Sequence, residues 1–349
     1  MKFNFKNMLV LGGLIIALAL QMTGCGKSPA AGSPEAGSTK KPEVVNIAFQ
    51  DIPNDEIVAK VKGWYESELG VKVNFKKFDS GRDVNNAFAS NSIDFALIGS
   101  TPASVGIAKG LGYEVFWIHD VIGAAESLAV KNSANINSLK DLKGKKVAVP
   151  FSSTAHYSLL NALKLEGVNL SEVKILDMQP PDIFAAWQRG DIDAAYVWNP
   201  VLGKLLADGK IITDSGKLAE KGIVTADVGV VSKEFAQQYP DIVTKYIKVQ
   251  QKAYDLYKSN PDEAAEAIAK GLNIDKAEAL KETKELIWLS AKDQVSDKYF
   301  GSSANKGNLA KILKDTADFL VEQKAIENAP AQDVFDKAIN PKYIENGLK

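Results

Sequence analysis

Short apolar segments that alternate with helical segments constrain the fold of this chain more than any other feature. Residues 44–49 (VVNIAF) are rich in β-branched side chains, and residues 71–75 (VKVNF) alternate apolar and polar positions, as strands do. A helical pattern separates these two segments. The later predicted elements are a helix at 83–89, a strand at 94–98, a helix from Pro102 and a strand at 114–119. This order predicts an α/β fold whose parallel or mixed sheet is covered on both faces.

The same pattern starts again near Val130, which predicts a second α/β unit. Its predicted elements are, in chain order, a helix at 139–142, a strand at 146–150, a helix at 157–165, a strand at 173–177, a helix at 182–188 and a strand at 194–198. A return strand is predicted at 225–231, and helices dominate from there to the C-terminus. The chain of 349 residues exceeds the usual size of a single hydrophobic core, so two lobes are expected.

A weak internal repeat links the two predicted units. Residues 89–96 (ASNSIDFA) align with residues 188–195 (QRGDIDAA), and each copy lies between a helix and a strand. The two strands end at the loops 99–102 (GSTP) and 198–200 (WNP). Ligands of α/β folds bind at the carboxyl ends of parallel strands, so both loops are predicted to face a ligand site.

The N-terminus has the pattern of a bacterial secretion signal. Lys2 and Lys6 supply its charged start, and the apolar run at 8–20 is shorter than the roughly 20 residues of a membrane span. Met-Thr-Gly then precedes Cys25, which resembles the cleavage box of a lipoprotein. Residues 1–24 are therefore predicted to be a lipoprotein signal peptide, with Cys25 as the lipidation site. In the alternative interpretation the signal is cut nearby and Cys25 is incidental.

The segment after Cys25 predicts a flexible tether. Residues 26–43 consist of Gly, Ser, Pro, Ala and charged residues without apolar periodicity. With the lipidated cysteine, residues 25–43 would connect a folded domain to a membrane. We therefore expect an extracytoplasmic protein, anchored by lipid to the cell membrane.

Composition excludes several classes of function. Cys25 is the single cysteine and there are two histidines, so we expect no disulfide, no metal site and no cofactor. The formal net charge of −1, without a basic patch, argues against binding of nucleic acid. Walker, dinucleotide-binding and nucleophile-elbow motifs are also missing in the context that they require. The chain is therefore expected not to be an enzyme.

The loop after the predicted strand at 146–150 is the most informative candidate for binding chemistry. It reads VPFSSTAHYS at 149–158, a hydroxyl-rich sequence at the start of a helix. Free amides and the positive end of the helix dipole attract anions there, and Ser and Thr hydroxyls add uncharged donors. In the alternative interpretation one of these hydroxyls only caps the helix.

The loop at 99–102 repeats this arrangement in the first lobe. It supplies two hydroxyls and places Pro102 at the first position of the predicted helix. If the lobes face each other across a cleft, both helix starts can converge on one small anion. The pair of loops therefore predicts a clamp.

Two further residues are candidates for the ligand site. Trp198 lies at a strand end near the predicted cleft and could form an apolar wall, although core packing is an equal alternative. Asp227 is a charged residue within an otherwise apolar strand, so a cation or several donors should meet it. That cation could be a ligand ammonium, while a lysine or backbone amides are the alternative.

Several long motifs resemble the taurine-binding component of taurine ABC transporters. They are FDSG at 78–81, VAVPFSSTAHYSLL at 147–160, QPP at 179–181, AAWQRGDID at 185–193 and YVW at 196–198. The likeness extends from about Val45 to beyond Thr225 and resumes weakly at 315–323. It identifies the chain as a member of this family.

The resemblance implies a two-lobe periplasmic-binding-protein fold of type II, with two crossovers and a cleft between the lobes. Residues 44–127 would form the first part of lobe I, residues 128–224 lobe II, and residues 225–349 the rest of lobe I. The crossovers would lie near 127–130 and 225–228. The protein would be a monomer that delivers its ligand to an ABC permease.

The resemblance also assigns roles to individual residues. Asp227 would face the ammonium group of the ligand, and Gln50 would lie on the cleft floor. The residues implied to hold the sulfonate are Ser100, Thr101, Ser153, Thr154 and His156.

Two departures from the family pattern leave the ligand open. Residues 50–54 (QDIPN) follow the first strand differently, and Asp227-Val228-Gly229 lacks a bulky residue two places after the aspartate. Besides taurine, a related alkanesulfonate or another small anion or zwitterion is an alternative. A sensory binding protein and an enzyme of the thiamine-pyrimidine type, which shares this fold, are alternatives in other classes.

Overall fold

The computed structural model describes residues 41–349. The predicted signal peptide, Cys25 and most of the predicted tether lie outside the described residues.

Within residues 41–349 the chain forms eleven strands in two sheets. The strands are β1 (Val44–Phe49), β2 (Lys72–Lys77), β3 (Phe95–Gly99), β4 (Tyr113–Ile122), β5 (Glu126–Lys131), β6 (Lys146–Val149), β7 (Lys174–Asp177), β8 (Ala194–Trp198), β9 (Gly209–Asp214), β10 (Ala226–Ser232) and β11 (Leu286–Trp288).

The helices alternate with these strands up to β10 and then predominate. They are α1 (Asp55–Val61), α2 (Trp64–Leu69), α3 (Gly81–Ala89), α4 (Ser100–Ala108), α5 (Thr154–Leu165), α6 (Pro180–Arg189), α7 (Val201–Leu205), α8 (Ser215–Ala219), α9 (Lys233–Gln238), α10 (Pro240–Ser259), α11 (Pro261–Leu272), α12 (Lys276–Thr283), α13 (Ala291–Gln294), α14 (Leu309–Glu322), α15 (Gln332–Ala338) and α16 (Lys342–Gly347). None of the helices in the described part of the chain is long and apolar enough to cross a membrane.

The first lobe is built on a six-stranded sheet with the order β11-β4-β10-β3-β1-β2. Strand β1 pairs in parallel with β2 and β3, whereas β10 runs antiparallel between β3 and β4. Every residue of β3 is buried, as expected for a central strand with helices on both faces. The carboxyl ends of β1 and β3 therefore lie at one edge of the sheet.

The second lobe is built on a five-stranded sheet with the order β7-β6-β8-β5-β9. Strand β6 pairs in parallel with β7 and β8, and β5 is antiparallel to β8 and β9. The chain enters this sheet between Ile122 and Glu126 and returns to the first sheet between Asp214 and Ala226. The predicted two-lobe α/β fold is confirmed.

Some local elements differ from the sequence expectation. The segment at 139–142 is a single 3₁₀ turn closed by a capping box between Ser138 and Asp141, instead of the predicted α-helix. Strands β9 and β11 were not predicted. Both lie at sheet edges, and β11 has only three residues, so neither carries a strong pattern.

The internal repeat has a structural explanation. The Asp94 carboxylate accepts a hydrogen bond from the Asn46 amide at 2.7 Å, and the Asp193 carboxylate accepts one from the Lys146 amide at 2.8 Å. Each aspartate thus ties the beginning of its own strand, β3 or β8, to the beginning of the neighbouring parallel strand. The repeat marks equivalent strands in the two lobes.

Candidate functional site

A cavity lies between the two lobes and is lined by both. The lining residues of the first lobe and its connections are Gln50, Ile52, Pro53, Gly81, Gly99, Pro102, Ile122, Asp227 and Leu286. Those of the second lobe and its connections are Ala125, Glu126, Ser153, Thr154, Trp198 and Asn199. The volume open to the centre of a water-sized molecule is about 30 Å³. One water needs roughly 10–15 Å³ by the same measure, so the cavity suits a small ligand.

The two predicted helix starts meet at this cavity. Gly99, before α4, and Thr154, the first residue of α5, are so close that a β-carbon on Gly99 would lie 2.9 Å from Thr154 Cγ2. The first amides of each helix lack partners within the helix, and both helix dipoles present their positive ends here. The arrangement can hold one anionic group between the lobes.

The predicted start of α4 is wrong by two residues. The helix begins at Ser100, which places Pro102 third instead of first. An amide in the first turn has no helical acceptor, so proline costs no hydrogen bond at this position.

Ser153 and Thr154 both line the cavity, but their hydroxyls already have protein partners. Ser153 Oγ accepts a hydrogen bond from the His156 amide at 3.1 Å and donates one to the Pro150 carbonyl at 2.6 Å. Ser153 therefore caps α5, as the alternative interpretation stated. Thr154 Oγ1 donates to the Glu126 carboxylate, so toward the cavity this oxygen can only accept.

His156 is buried in the first turn of α5 and is not part of the cavity lining. Its ring stacks on Phe151 with 4.5 Å between centroids, and its Nδ1 accepts a hydrogen bond from the Ser152 amide at 3.3 Å. Burial lowers the pKa of His156 to about 4, so the ring is neutral at physiological pH. The structure gives it a packing role next to the cavity.

Ser100 and Thr101 also lie behind the cavity surface. Ser100 Oγ accepts a hydrogen bond from the Ala226 amide at 3.2 Å, which ties the start of α4 to β10. Thr101 is fully buried, and its hydroxyl has no partner among residues 41–349. Their roles as direct ligand contacts remain predictions.

Gln50 and Trp198 line the cavity from opposite lobes. Gln50 follows β1, is buried and donates from Nε2 to the Leu97 carbonyl at 3.3 Å, which fixes its amide at the end of the sheet. Trp198 ends β8, is half-buried and packs against the hydrophobic cores of both lobes. Its ring can supply a rigid apolar wall.

Asp227 lines the cavity from β10, but its neighbour differs from our expectation. None of the residues in the described range supplies a cation or several donors to its carboxyl group; instead it lies opposite a second carboxyl, Asp120 of β4. Two causes raise the pKa of Asp227 well above its ordinary value: burial, which is the larger, and the charge of Asp120. Within the described residues the side chain therefore lacks both the lysine and the backbone amides that the alternative interpretation offered.

Glu126 is a cavity residue that the sequence interpretation missed. It begins β5 and is buried, and its carboxylate accepts hydrogen bonds from Thr154 and, at 2.8 Å, from Ser215. Burial raises the pKa of Glu126 to about 7. A charged residue in the predicted connection just before the apolar residues 128–130 was the available signal, similar to the one that drew attention to Asp227.

A polar network supports the site beneath the first sheet. Asp55 Oδ1 lies 2.7 Å from His119 Nδ1, and its other oxygen accepts a hydrogen bond from Trp117 Nε1 at 3.0 Å. Burial by itself would lower the pKa of His119. The negative charges of Asp55 and of the other nearby carboxylates have the larger combined effect, so this pKa is raised. The network holds α1 against β4, and the raised pKa favours the protonated form of His119 near the carboxyl groups.

Polar contacts also bridge the lobes around the cavity. Arg82 Nη1 of α3 lies 2.6 Å from the Asp177 carboxylate at the end of β7. Asn199 Nδ2 donates to Glu285 at 2.8 Å, and Lys164 Nζ of α5 lies 2.8 Å from Glu322 of α14. These contacts connect surfaces that separate if the lobes open.

No group of three or more histidine, cysteine, aspartate or glutamate side chains suited to a metal ion occurs in the part of the chain that the structure covers. The site offers helix amides, carboxyl groups and an aromatic wall. These groups can bind a small molecule that carries an anionic group and a cationic group.

Two α/β lobes with a small polar cavity between them define a two-lobe periplasmic binding protein. Residues 55–264 match the protein family described as NMT1/THI5 like. The chain is 36% identical to the taurine-binding periplasmic protein of Escherichia coli (strain K12) over 307 residues, which covers 86% of this chain and 92% of that protein. The chain therefore belongs to the NMT1/THI5-like family, in the group of periplasmic binding proteins that contains this relative. The family resemblance read from the sequence is confirmed.

Solved structures show the same fold. The alkanesulfonate-binding protein SsuA from Xanthomonas axonopodis pv. citri, bound to MOPS, matches with a TM-score of 0.71 at 20% identity, over 86% of this chain and 99% of SsuA. The desulfurization enzyme DszB matches with a TM-score of 0.62 at 15% identity, over 88% of this chain and 99% of the enzyme. The fold is thus shared by binding proteins and by an enzyme.

Proposed function

We propose that this protein binds taurine or a closely related small alkanesulfonate outside the cytoplasm and delivers it to the permease of an ABC importer. The observation that carries the proposal is a single cavity with two helix starts and two carboxyl groups, Asp227 and Glu126. Taurine has an anionic end and a cationic end on a two-carbon spacer, so its chemistry matches both halves of this lining. The relative in Escherichia coli is named for taurine.

The sulfonate would be held where α4 and α5 begin. A sulfonate accepts hydrogen bonds but donates none, so it needs donors. The first amides of the two helices offer donors, whereas Thr154 Oγ1 already donates to Glu126. We therefore assign sulfonate binding mainly to backbone amides, with the hydroxyls of Ser100, Thr101, Ser153 and Thr154 in supporting positions.

The ammonium group would lie between Asp227 and Glu126. These carboxyls come from different lobes, and both face the cavity. An ammonium is the simplest ligand group that offsets the cost of placing two carboxylates in a closed site. Trp198 would cover the ethylene spacer.

We further propose that the protein is a monomeric binding protein without enzymatic activity. The described polar groups of the cavity can bind a ligand, but they include no histidine that could act as a general base. His119 is hydrogen-bonded to Asp55 and His156 to Ser152, and neither lines the cavity. Cys25 is the single cysteine of the chain and therefore the single candidate for a thiol nucleophile. It is the proposed lipidation site, and it precedes the first residue that lines the cavity, Gln50, by 25 positions. The alternative of an enzyme therefore has less support from the residues of the site.

The proposal includes a membrane anchor. Cys25 closes an apolar run, and residues 25–43 have the composition of a flexible tether. A lipid at Cys25 would keep the binding lobes near the permease. Residues 44–127, 128–224 and 225–349 would form the two lobes as the family resemblance implies.

A thermal-shift screen of the full chain tests the choice of ligand. The panel contains taurine, ethanesulfonate, which lacks the ammonium, β-alanine, which replaces the sulfonate by a carboxylate, and sulfate. A ligand at 100 times its dissociation constant adds about 2.7 kcal/mol of stability. We expect the largest shift with taurine.

Each other ligand of the panel reports on one end of the site. A larger shift with ethanesulfonate than with taurine would contradict the ammonium site. A larger shift with β-alanine would assign the anion site to carboxylates. No shift with any of these ligands would overturn the proposed function.

A further inference from the structure

Asp120 and Asp227 form a buried pair of carboxyl groups, in which Asp227 lines the cavity and Asp120 lies behind it. The two residues are directly opposite each other in the antiparallel pair of β4 and β10. Asp227 faces the cavity, whereas Asp120 is fully buried and is absent from the lining. Asp120 can therefore act on a ligand only indirectly, by changing the state of the Asp227 carboxyl group.

One oxygen of Asp120 needs a proton that the surrounding protein does not supply. Its Oδ2 accepts a hydrogen bond from Asn54 Nδ2 at 2.8 Å. Its Oδ1 is buried and has no donor among the described residues. A buried carboxylate oxygen without a donor is costly, and a proton held between Asp120 and Asp227 removes that cost.

The charges around the pair favour such a proton. Asp55 and Glu56 of α1 and Glu126 of β5 add negative charge when they are ionised, and His119, held by Asp55, is the basic side chain that the described surroundings contribute. The facing segments β3 and β11 carry no charged side chain. Burial and the neighbouring carboxylates raise the pKa of both aspartates.

We propose that Asp120 is a specificity-determining residue that acts through Asp227, because the pair holds one shared proton that the arriving ammonium group displaces. The inference rests on the proposed function. The O–H bond of the pair breaks, the proton leaves to solvent, and the ammonium keeps its own protons. Both aspartates are then carboxylates, with the ligand cation in place of the proton.

The displaced proton would give the site a preference for zwitterions. A sulfonate without an ammonium leaves the shared proton in place and gains no ion pair. Taurine binding should strengthen as the pH rises toward the pKa values of the pair, because less work is needed to remove the proton. Ethanesulfonate binding should lack this dependence.

Calorimetry of the full chain can count the protons. Taurine is titrated at one pH in buffers with different enthalpies of ionisation, and the slope of the observed enthalpy against the buffer enthalpy gives the number of protons released. Just below neutral pH we expect about one proton from the pair in the wild-type protein, in addition to the fraction of a proton that Glu126 contributes, as linkage requires of groups whose pKa the ligand cation lowers. Asp120→Asn should still bind taurine but should release less than about half as many protons as the wild type. The reason is that the asparagine amide can donate a hydrogen bond to Asp227 without a titrating proton.

Glu126→Gln is the matched control, because Glu126 is the other carboxyl group whose pKa a ligand cation could lower. The release should persist in this variant, even if its affinity for taurine falls. Release that is lost in Glu126→Gln and kept in Asp120→Asn would overturn the inference. Taurine binding by the wild type without proton release would also overturn it, while leaving the proposed function intact.

Infrared difference spectra give a second measurement that needs no variant. The carbonyl band of a protonated carboxyl group should weaken when taurine is added to the wild type and should stay when ethanesulfonate is added. An unchanged band with bound taurine would contradict the inference even if Asp120→Asn fails to fold. A complete absence of taurine binding would overturn the proposed function and this inference together.

Discussion

Gly99 at the end of β3 and Thr154 at the start of α5 meet across the cavity, so closely that a β-carbon on Gly99 would lie 2.9 Å from Thr154 Cγ2. Thr154 cannot easily turn away, because its hydroxyl donates to the buried Glu126. Gly99 has an ordinary extended backbone with φ of −61°. Glycine is therefore needed here for the approach of the two lobes and not for its backbone freedom.

We expect Gly99→Ala to weaken ligand binding while the fold is retained. The added methyl group obstructs closure between the helix starts, and overpacking of this kind costs about 1–3 kcal/mol. Taurine affinity should fall by roughly tenfold to a hundredfold. Calorimetry measures the affinity, and small-angle scattering should show less compaction on ligand addition than in the wild type.

Gly112→Ala is the matched control for this change. A β-carbon on Gly112 meets no atom within 4 Å. Its taurine affinity and compaction should equal those of the wild type. Equal affinities in Gly99→Ala and Gly112→Ala would mean that the two helix starts need not approach for binding.

Asp227→Asn should remove recognition of the ligand ammonium. The substitution keeps the size of the side chain but removes its charge, so taurine binding should weaken by roughly 2–5 kcal/mol. This range corresponds to a loss of at least about thirtyfold in affinity. Ethanesulfonate should lose much less, so the difference between the two ligands should narrow or reverse. Calorimetry on both ligands with both proteins measures the effect, and equal losses would show that Asp227 only supports the fold.

The stability of the protein without ligand should fall as the pH rises from about 6.5 to about 8.5. Burial raises the pKa of Glu56 and of Glu126 to about 7 and that of Glu282 to about 8, all above their values in an unfolded chain. The folded state therefore binds these protons more tightly. The stability that they contribute starts to fall above pH 4.5, the ordinary pKa of glutamate, and its last part is lost through this interval. His156 has a lowered pKa and acts in the opposite direction only below about 6.5.

Thermal unfolding across this pH interval tests the sign. The unfolding temperature should decline toward higher pH in the wild type and decline less in Glu126→Gln, which has no proton to lose at this position. Asp191→Asn changes an exposed aspartate paired with Arg189 and should keep the wild-type slope. An unfolding temperature that rises with pH would contradict protonated carboxyl groups in the folded state.

Cys25→Ala should release the protein from the membrane. Lipidation needs the cysteine, so the variant should be found in the soluble extracytoplasmic fraction, whereas the wild type should incorporate a labelled fatty acid and fractionate with membranes. A variant that stays with membranes, together with an unlabelled wild type, would contradict the proposed anchor.

The sequence predicted those parts of the site that depend on local pattern. The strand at 194–198 matches β8 in full, and the ends of β3 and β6 fall within one residue of prediction. Gln50, Ser153, Thr154, Trp198 and Asp227 line one cavity. Each follows a strand, begins a helix or interrupts an apolar run, and such features are set by neighbours along the chain.

The remaining features depend on contacts between residues far apart in the chain. Asp120 and Glu126 each lie in a different strand from Asp227, and only strand order brings β4 beside β10. Ser153 and Thr154 have adjacent and similar side chains, yet one caps a helix and the other donates to Glu126. A hydroxyl has several possible partners, and its choice depends on which acceptor the folded chain places within reach.

The sequence by itself therefore determined the α/β lobes and the loops at the ends of the strands, because hydrophobic periodicity and helix starts are local properties. The family followed from the resemblance of the long motifs at 78–81, 147–160 and 185–193. The tertiary structure alone decided that Asp227 meets Asp120 instead of a lysine, that Gly99 meets Thr154, and that His156 stacks on Phe151. The physical reason is that burial and charge coupling act through space, between groups that only the packing of the two lobes brings together.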